Sequence, residues 1–205
     1  MKTYPSIPRS VGTSFFEFKA HVFDKLDGSN LRFEWTRKKG WYKFGTRTRL
    51  FDQTDPIFAS AIPLWQNTTG LALEKIARDN KWDHLLAFAE FWGSNSFAGL
   101  HDTEEPHKLS VFDICIDKRG MSGPEEFLKY CDGLETPKYL GEYHWTREFV
   151  AAVRRGEVDG ITFEGVVGKA GQGHKLRMAK AKTQRWIDAV KGKFDQATAE
   201  QLLNS

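Results

Sequence analysis

Cysteine is scarce in this sequence: of 205 residues only Cys115 and Cys131 carry thiols. Two such residues form neither a disulfide framework nor a CxxC metal pattern, so the expectation is reduced thiols in a cytoplasmic protein. Long apolar runs are missing too. No stretch approaches the roughly 20 residues of a membrane span, and the opening "MKTYPSIPRS" lacks the apolar centre of a secretion signal. There is no internal repeat, no low-complexity tract and no obvious linker. A marked charge imbalance is also absent, the net charge being +3.

What remains is an ordinary globular composition, 40% apolar and 28% charged, long enough to bury a sizeable core. The distribution of charge says more than its sum. Arg32 to Arg49 holds seven Lys/Arg against Glu34 alone, interleaved with Phe33, Trp35, Trp41, Tyr42 and Phe44. Lys169 to Lys193 holds eight against Asp188 alone. Such segments read either as solvated charged faces or as a surface for phosphates and nucleic acid.

Residues rich in β-branched and aromatic side chains predict strands in "SFFEFKAHVF", "NLRFEWTR", "GWYKFGTRTRLF", "HLLAFAEFWG", "KLSVFDICID", "ITFEGVVGKA" and "GHKLRMAKAK". Helical patterns lie between and after them. "DPIFASAIPLWQN" is short because of Pro63, and "TGLALEKIARDN" has one apolar face. "SGPEEFLKYC" has Ser122 and Glu125 at capping-box spacing. "TREFVAAVRRGE" and "TQRWIDAVKGKF" open on threonine, and "DQATAEQLLN" on Asp195. The pattern is α+β, mostly antiparallel, in one domain over 1–205.

The stretch "DKLDGSN" asks for chemistry, since it sets Lys25 at the end of a strand and just before a tight turn. A lysine attacks only as the free amine, so it needs neighbours that lower the cost of losing its proton. Lys180 and Lys182 in "RMAKAK" alternate along a strand and point the same way. Each residue also has a plain reading. Asp27 suits an Asp-Gly turn, Phe112 a buried strand and Glu90 a sheet edge.

The order of several short motifs distinguishes the two readings. "KLDGSN", "GTRTR", "FAEFWG", "VFDI", "FEGVVGK" and "MAKAK" follow one another from Lys25 to Lys182. In this the chain resembles the covalent nucleotidyltransferase superfamily of ATP-dependent ligases and capping enzymes, and most of all RNA ligases of the phage nick-sealing and RNA-editing type. The resemblance implies a nucleotidyltransferase (adenylation) domain, its antiparallel sheets flanked by helices. It would run from a nucleophile turn at 25–30 to a closing lysine strand at 176–182, with C-terminal helices over 183–205. It implies a lysyl-AMP formed from ATP with magnesium, transfer of AMP to a 5′-phosphate, and sealing by a 3′-hydroxyl.

Carried over by residue, Lys25 is the nucleophile, Glu164 binds metal and orients it, and Lys180 and Lys182 hold the α-phosphate. Glu90 would take the ribose and Phe112 the adenine face. Asn30 and Arg47 would contact the sugar or the strand end, Asp24 adenine, and Asp27 would orient the site. Asn30 favours RNA over DNA, because DNA ligases and capping enzymes of the superfamily usually carry arginine there. Only 23 residues follow Lys182, so no appended OB or other C-terminal domain is expected. The expectation is then a minimal ligase, a monomer from a phage or other compact genome, gripping strands through its basic segments in a salt-sensitive way. The alternatives are a small DNA nick ligase and a non-catalytic nucleic-acid-binding module of the same fold.

Overall fold

The computed structural model describes residues 1–8 and 17–204. In chain order its elements are β1 (Phe18–Lys25), β2 (Ser29–Thr36), β3 (Gly40–Thr46), β4 (Leu50–Phe51), α1 (Ala61–Asn67), α2 (Thr69–Asp79), β5 (His84–Trp92) and β6 (Lys108–Ile116). They continue with β7 (Gly120–Met121), α3 (Pro124–Tyr130), β8 (Tyr139–Trp145), α4 (Arg147–Arg155), β9 (Gly165–Ala170), β10 (Arg177–Lys182), α5 (Gln184–Lys193) and α6 (Gln196–Asn204). This is the expected α+β class with antiparallel sheets. Contacts group the chain into two compact units. One comprises Met1–Tyr4, Gly28–Thr136 and Gln172–His174, and the other Pro5–Asp27, Pro137–Gly171 and Lys175–Ser205.

The first unit is built on a six-stranded antiparallel sheet of order β4-β3-β2-β5-β6-β7. Alternation along β2 sends Leu31, Phe33 and Trp35 to one face, where all three are fully buried. There the Phe33 ring stacks on Trp65 of α1 at 4.1 Å, and Trp41 donates its indole N–H to the Gly70 carbonyl of α2 at 2.8 Å. The other face of β2 carries Asn30, Arg32 and Glu34. Arg32 is pinned there by hydrogen bonds to the carbonyls of Thr46, Met1 and Lys2.

In the second unit a four-stranded antiparallel sheet has the order β10-β9-β1-β8. Ala20, Val22, Val166, Ala179 and Ala181 on one face meet Phe149 and Val153 of α4, with Trp145 closing the cluster. Thr146 caps α4 by accepting from the Phe149 N–H, and Thr183 caps α5 by accepting from the Trp186 N–H, as their sequence positions predict. The Asp195 carboxylate likewise accepts from the Thr198 N–H at the start of α6.

Several expectations change. The capping box at Ser122 does not form: the cap is Gly123, without a side-chain bond, and Pro124 occupies the first turn, where its missing N–H costs nothing. Pro63 falls in the first turn of α1 and is tolerated there for the same reason. The strand expected from Ile161 begins only at Gly165, and the one from Gly173 only at Arg177. β8 had no prediction. Residues 14–16 of the first expected strand lie outside the described residues.

Candidate active site

Strand register brings the lysines together. Lys25 ends β1 opposite Gly165 of β9, and the same Gly165 lies opposite Lys182 of β10. Two lysines therefore flank one residue, each about one strand spacing (~4.8 Å) away. Gly165 has φ +149°, and a Cβ there would run into the Ala181 carbonyl oxygen, so both backbone and space require glycine. One residue earlier, Glu164 lays its carboxylate between the two ammoniums. Lys25 Nζ donates to Oε2 at 2.6 Å, and Lys182 Nζ lies 3.2 Å from Oε1. Glu164 and Lys182 are buried, with side chains 5% and 4% exposed, whereas Lys25 keeps 23%. Of the three, the candidate nucleophile is the one solvent reaches.

The same alternation places Lys169 and Lys180 with Lys25 and Lys182, on the sheet face opposite the α4 core. Lys180 is buried, as is Lys169, whose ammonium stands 5.3 Å from the Phe23 ring centre. A face with four lysines and the Glu164 carboxylate is suited to neutralising phosphate oxygens.

The motif side chains also reach residues that the motifs do not include. Lys182 Nζ also donates to the Leu202 carbonyl of α6 at 2.9 Å and sits 4.0 Å from the centre of the Trp186 ring. Trp186 in turn donates its Nε1–H to Asp27 Oδ2 at 2.7 Å. Asp24 points to the α4 side, where its carboxylate accepts from the N–H and Oγ1–H of Thr162 at 3.0 and 2.8 Å. Burial pushes the Asp24 carboxyl up, and the two Thr162 bonds pull the other way.

The other four expected residues belong to the first unit. The chain passes from one unit to the other between Asp27 and Gly28, inside the "KLDGSN" turn. Gly28 is needed for space, because a Cβ would strike the Phe91 carbonyl. Asn30 lies opposite Glu90, and Glu90 opposite Ser110. Asn30 Oδ1 is buried without a hydrogen-bond partner among the described residues. β3 stops at Thr46, opposite Leu31, so Arg47 is an exposed loop residue one step beyond that last pair, toward the row of Asn30.

Phe112 is the extra residue of a β-bulge, since Val111 pairs with Ala89 and Asp113 with Phe88. The bulge re-aims its side chain, which is only half-buried between two buried neighbours. Its ring meets Tyr4 edge-on at 5.0 Å and lies parallel to Phe88. Tyr4 donates to Asp113 Oδ2 at 2.6 Å. Burial first, and Asp113 second, hold its phenol well above the usual range, so it remains a donor.

On the opposite face of the sheet, His101 bonds Ser29 Oγ through Nε2 (2.8 Å) and Ser96 Oγ through Nδ1 (3.0 Å). Burial, and then His107, push His101 down to about 4, so it is neutral at pH 7.

Sequence reasoning thus placed the lysine cluster but missed its supports. Lys169 was findable as the last residue of "FEGVVGK". Trp186 stands three residues after a helix cap, which marks it as a first-turn residue and no more. Nothing local points to Tyr4, Thr162 or Leu202. Among the described residues no three His, Cys, Asp or Glu converge as a metal cage. The buried Glu164 carboxylate beside a lysine face fits instead a hard cation held by one carboxylate and by phosphate and water oxygens.

Comparison with known proteins adds a family and a fold. A family model described as RNA ligase matches residues 19–183. Among solved structures, an archaeal ATP-dependent RNA ligase (form 1) superposes with a TM-score of 0.68 at 19% identity, covering 99% of this chain and 56% of that one. A mutant Naegleria gruberi RNA ligase with ATP and Mn gives 0.60 at 16%, covering 91% and 52%. The Naegleria gruberi RNA ligase with PPi gives 0.61 at 18%, covering 85% and 52%. The chain therefore spans about half the length of these structures. Comparison with curated protein sequences finds no match.

Proposed function

The chain belongs to the RNA ligase family, and from that premise we propose that it is an ATP-dependent RNA ligase on a nucleotidyltransferase fold, with Lys25 as its covalent nucleophile. The observation that carries this reading is the Glu164 carboxylate bridging Lys25 and Lys182 across the side-chain-free Gly165. That arrangement fixes a partly exposed amine beside a buried, held ammonium.

In the first step the Lys25 amine attacks the α-phosphorus of ATP. A P–N bond forms, the α–β P–O bond breaks and pyrophosphate leaves. In the second the P–N bond breaks as a terminal 5′-phosphate oxygen takes the adenylyl group. In the third a 3′-hydroxyl attacks that 5′-phosphorus, the phosphodiester forms and AMP leaves. Each step gathers negative charge at phosphorus, which Lys180 and Lys182 would oppose, with Lys169 on the same face. Glu164 orients Lys25 through the 2.6 Å bond. Magnesium, held by Glu164 and phosphate oxygens, would neutralise charge on the phosphates.

Glu90 and Phe112 would serve ribose and adenine, and Arg47 the sugar or strand end. Asp27 orients the turn, and Asp24, which the resemblance gave to adenine, instead holds the end of β1 through Thr162. The buried, unpartnered Asn30 Oδ1 is an acceptor suited to a sugar hydroxyl, which favours an RNA strand.

The test is label transfer from α-labelled ATP with magnesium, with labelled GTP in parallel, on wild type and Lys25→Ala. Label from ATP that disappears in the variant supports the reading, and relative rates on RNA, DNA and hybrid nicks then give the strand. If no label is taken up and added pyrophosphate releases no ATP, the reading fails and a binding module takes its place.

A further inference from the structure

Two lysines share one carboxylate at this site, yet the chemistry asks opposite things of them. Lys25 must give up a proton to attack, whereas Lys182 must stay charged to oppose the phosphate. Both touch Glu164. Around Lys182 stand the Leu202 carbonyl at 2.9 Å and the face of Trp186 at 4.0 Å from the ring centre. A carbonyl oxygen and an aromatic face both attract an ammonium. The same indole holds Asp27, two residues after the nucleophile, through a 2.7 Å Nε1–H bond. Trp186 is 2% exposed, and the Thr183 cap hydrogen-bonded to its backbone N–H starts its helix.

We propose that Trp186 is a positioning residue of the adenylation step. Its ring face keeps the Lys182 ammonium beside Glu164, and its N–H ties the nucleophile turn to that same ring. In this role Trp186 acts through Lys182 and Asp27. The assignment rests on the lysyl-AMP reading above. It predicts a loss in the rate of adenylation with little change in affinity for ATP, because the contacts act on the reacting groups.

The experiment replaces Trp186 alone, one of seven tryptophans, with mono-, di-, tri- and tetrafluorotryptophan by nonsense suppression in the full chain. Fluorine withdraws negative potential from the ring face stepwise while keeping the ring shape and the N–H. Single-turnover label transfer is measured against ATP concentration, with a melting temperature for each protein. The expected result is a logarithm of rate that falls linearly with fluorine count, reaching about threefold to thirtyfold overall, while KM for ATP stays within about twofold. Trp186→Phe keeps a face for Lys182 but removes the N–H, and should lose about tenfold or more in rate.

A flat fluorine series overturns the assignment, and so do losses that follow melting temperature instead of fluorine count. A wild-type protein that takes up no label and releases no ATP with pyrophosphate overturns the ligase reading itself. Labelling of the wild type with a flat series overturns only the role of Trp186.

Discussion

Replacing Glu164 by glutamine tests the arrangement most directly, because the same carboxylate serves two lysines of unequal burial. Glutamine keeps the shape and one acceptor oxygen but removes the charge, leaving the Lys182 ammonium, 4% exposed, without its anion. At an effective dielectric of about 20, the 3.2 Å contact is worth roughly 5 kcal/mol of gross attraction. The 2.6 Å contact to Lys25 is nominally larger, but Lys25 is 23% exposed and solvent screens much of it. Since glutamine still accepts one hydrogen bond, the net cost should be about 3–5 kcal/mol, the range for breaking a buried pair from one side. For a chain of this size that lowers the melting temperature by roughly 6–20 °C.

Lys25→Ala should behave differently, leaving Glu164 paired with Lys182 and costing about 1 kcal/mol or less. Both variants should lose label transfer from ATP, yet only Glu164→Gln should melt early. Thermal unfolding followed by circular dichroism, beside the labelling assay, reads both quantities. A Glu164→Gln protein that melts with the wild type and still takes up label would refute the shared-carboxylate argument.

Three other outcomes follow from the geometry. Gly165→Ala should cost at least about 1–3 kcal/mol from backbone strain alone, and should slow adenylation by moving β9 against β10; a variant with unchanged melting and labelling would show that this row does not set the lysine spacing. Phe112→Leu should raise KM for ATP by about threefold to tenfold through loss of an aromatic face worth about 0.5–1.5 kcal/mol, with stability nearly unchanged because the bulged ring is only half-buried; an unaltered KM would return Phe112 to a purely packing role. His101, neutral in the fold with a pKa of about 4 against an ordinary 6.5, makes the unfolded chain bind more protons between those values. Stability should therefore be full above pH 6.5 and fall toward pH 4, by less than about 1.4 kcal/mol per pH unit since the imidazole is only partly buried. Urea melts of wild type and His101→Gln at pH 4.5 and 7 should differ in that slope, and parallel slopes would count against it.

The elements that local chemistry specifies were legible in the sequence. Thr146, Thr183 and Asp195 cap their helices because a side-chain oxygen three residues before an N–H is a property of the segment itself. The motif order gave the lysines and the glutamate, and alternation of period two put Lys180 and Lys182 on one face. Local reasoning failed where the backbone had a competing option. Ser122 offered a cap, but Gly123 took it with Pro124 in the first turn. Phe112 looked like regular alternation until the pairing of β5 with β6 inserted a bulge, a feature that exists only once two strands are in register. The strand from Ile161 starts late because Thr162 is engaged by Asp24, 138 residues away in sequence.

By itself, then, the sequence singled out the candidate residues for the chemistry and the turns and caps that frame them, since these depend on neighbours within a few residues. Only tertiary structure decided that one carboxylate serves both Lys25 and Lys182, that Gly165 stands between them, and that Trp186, Leu202 and Tyr4 support the motif residues. Those pairings join segments up to about 160 positions apart. Their energies come from burial and register, which no local window contains.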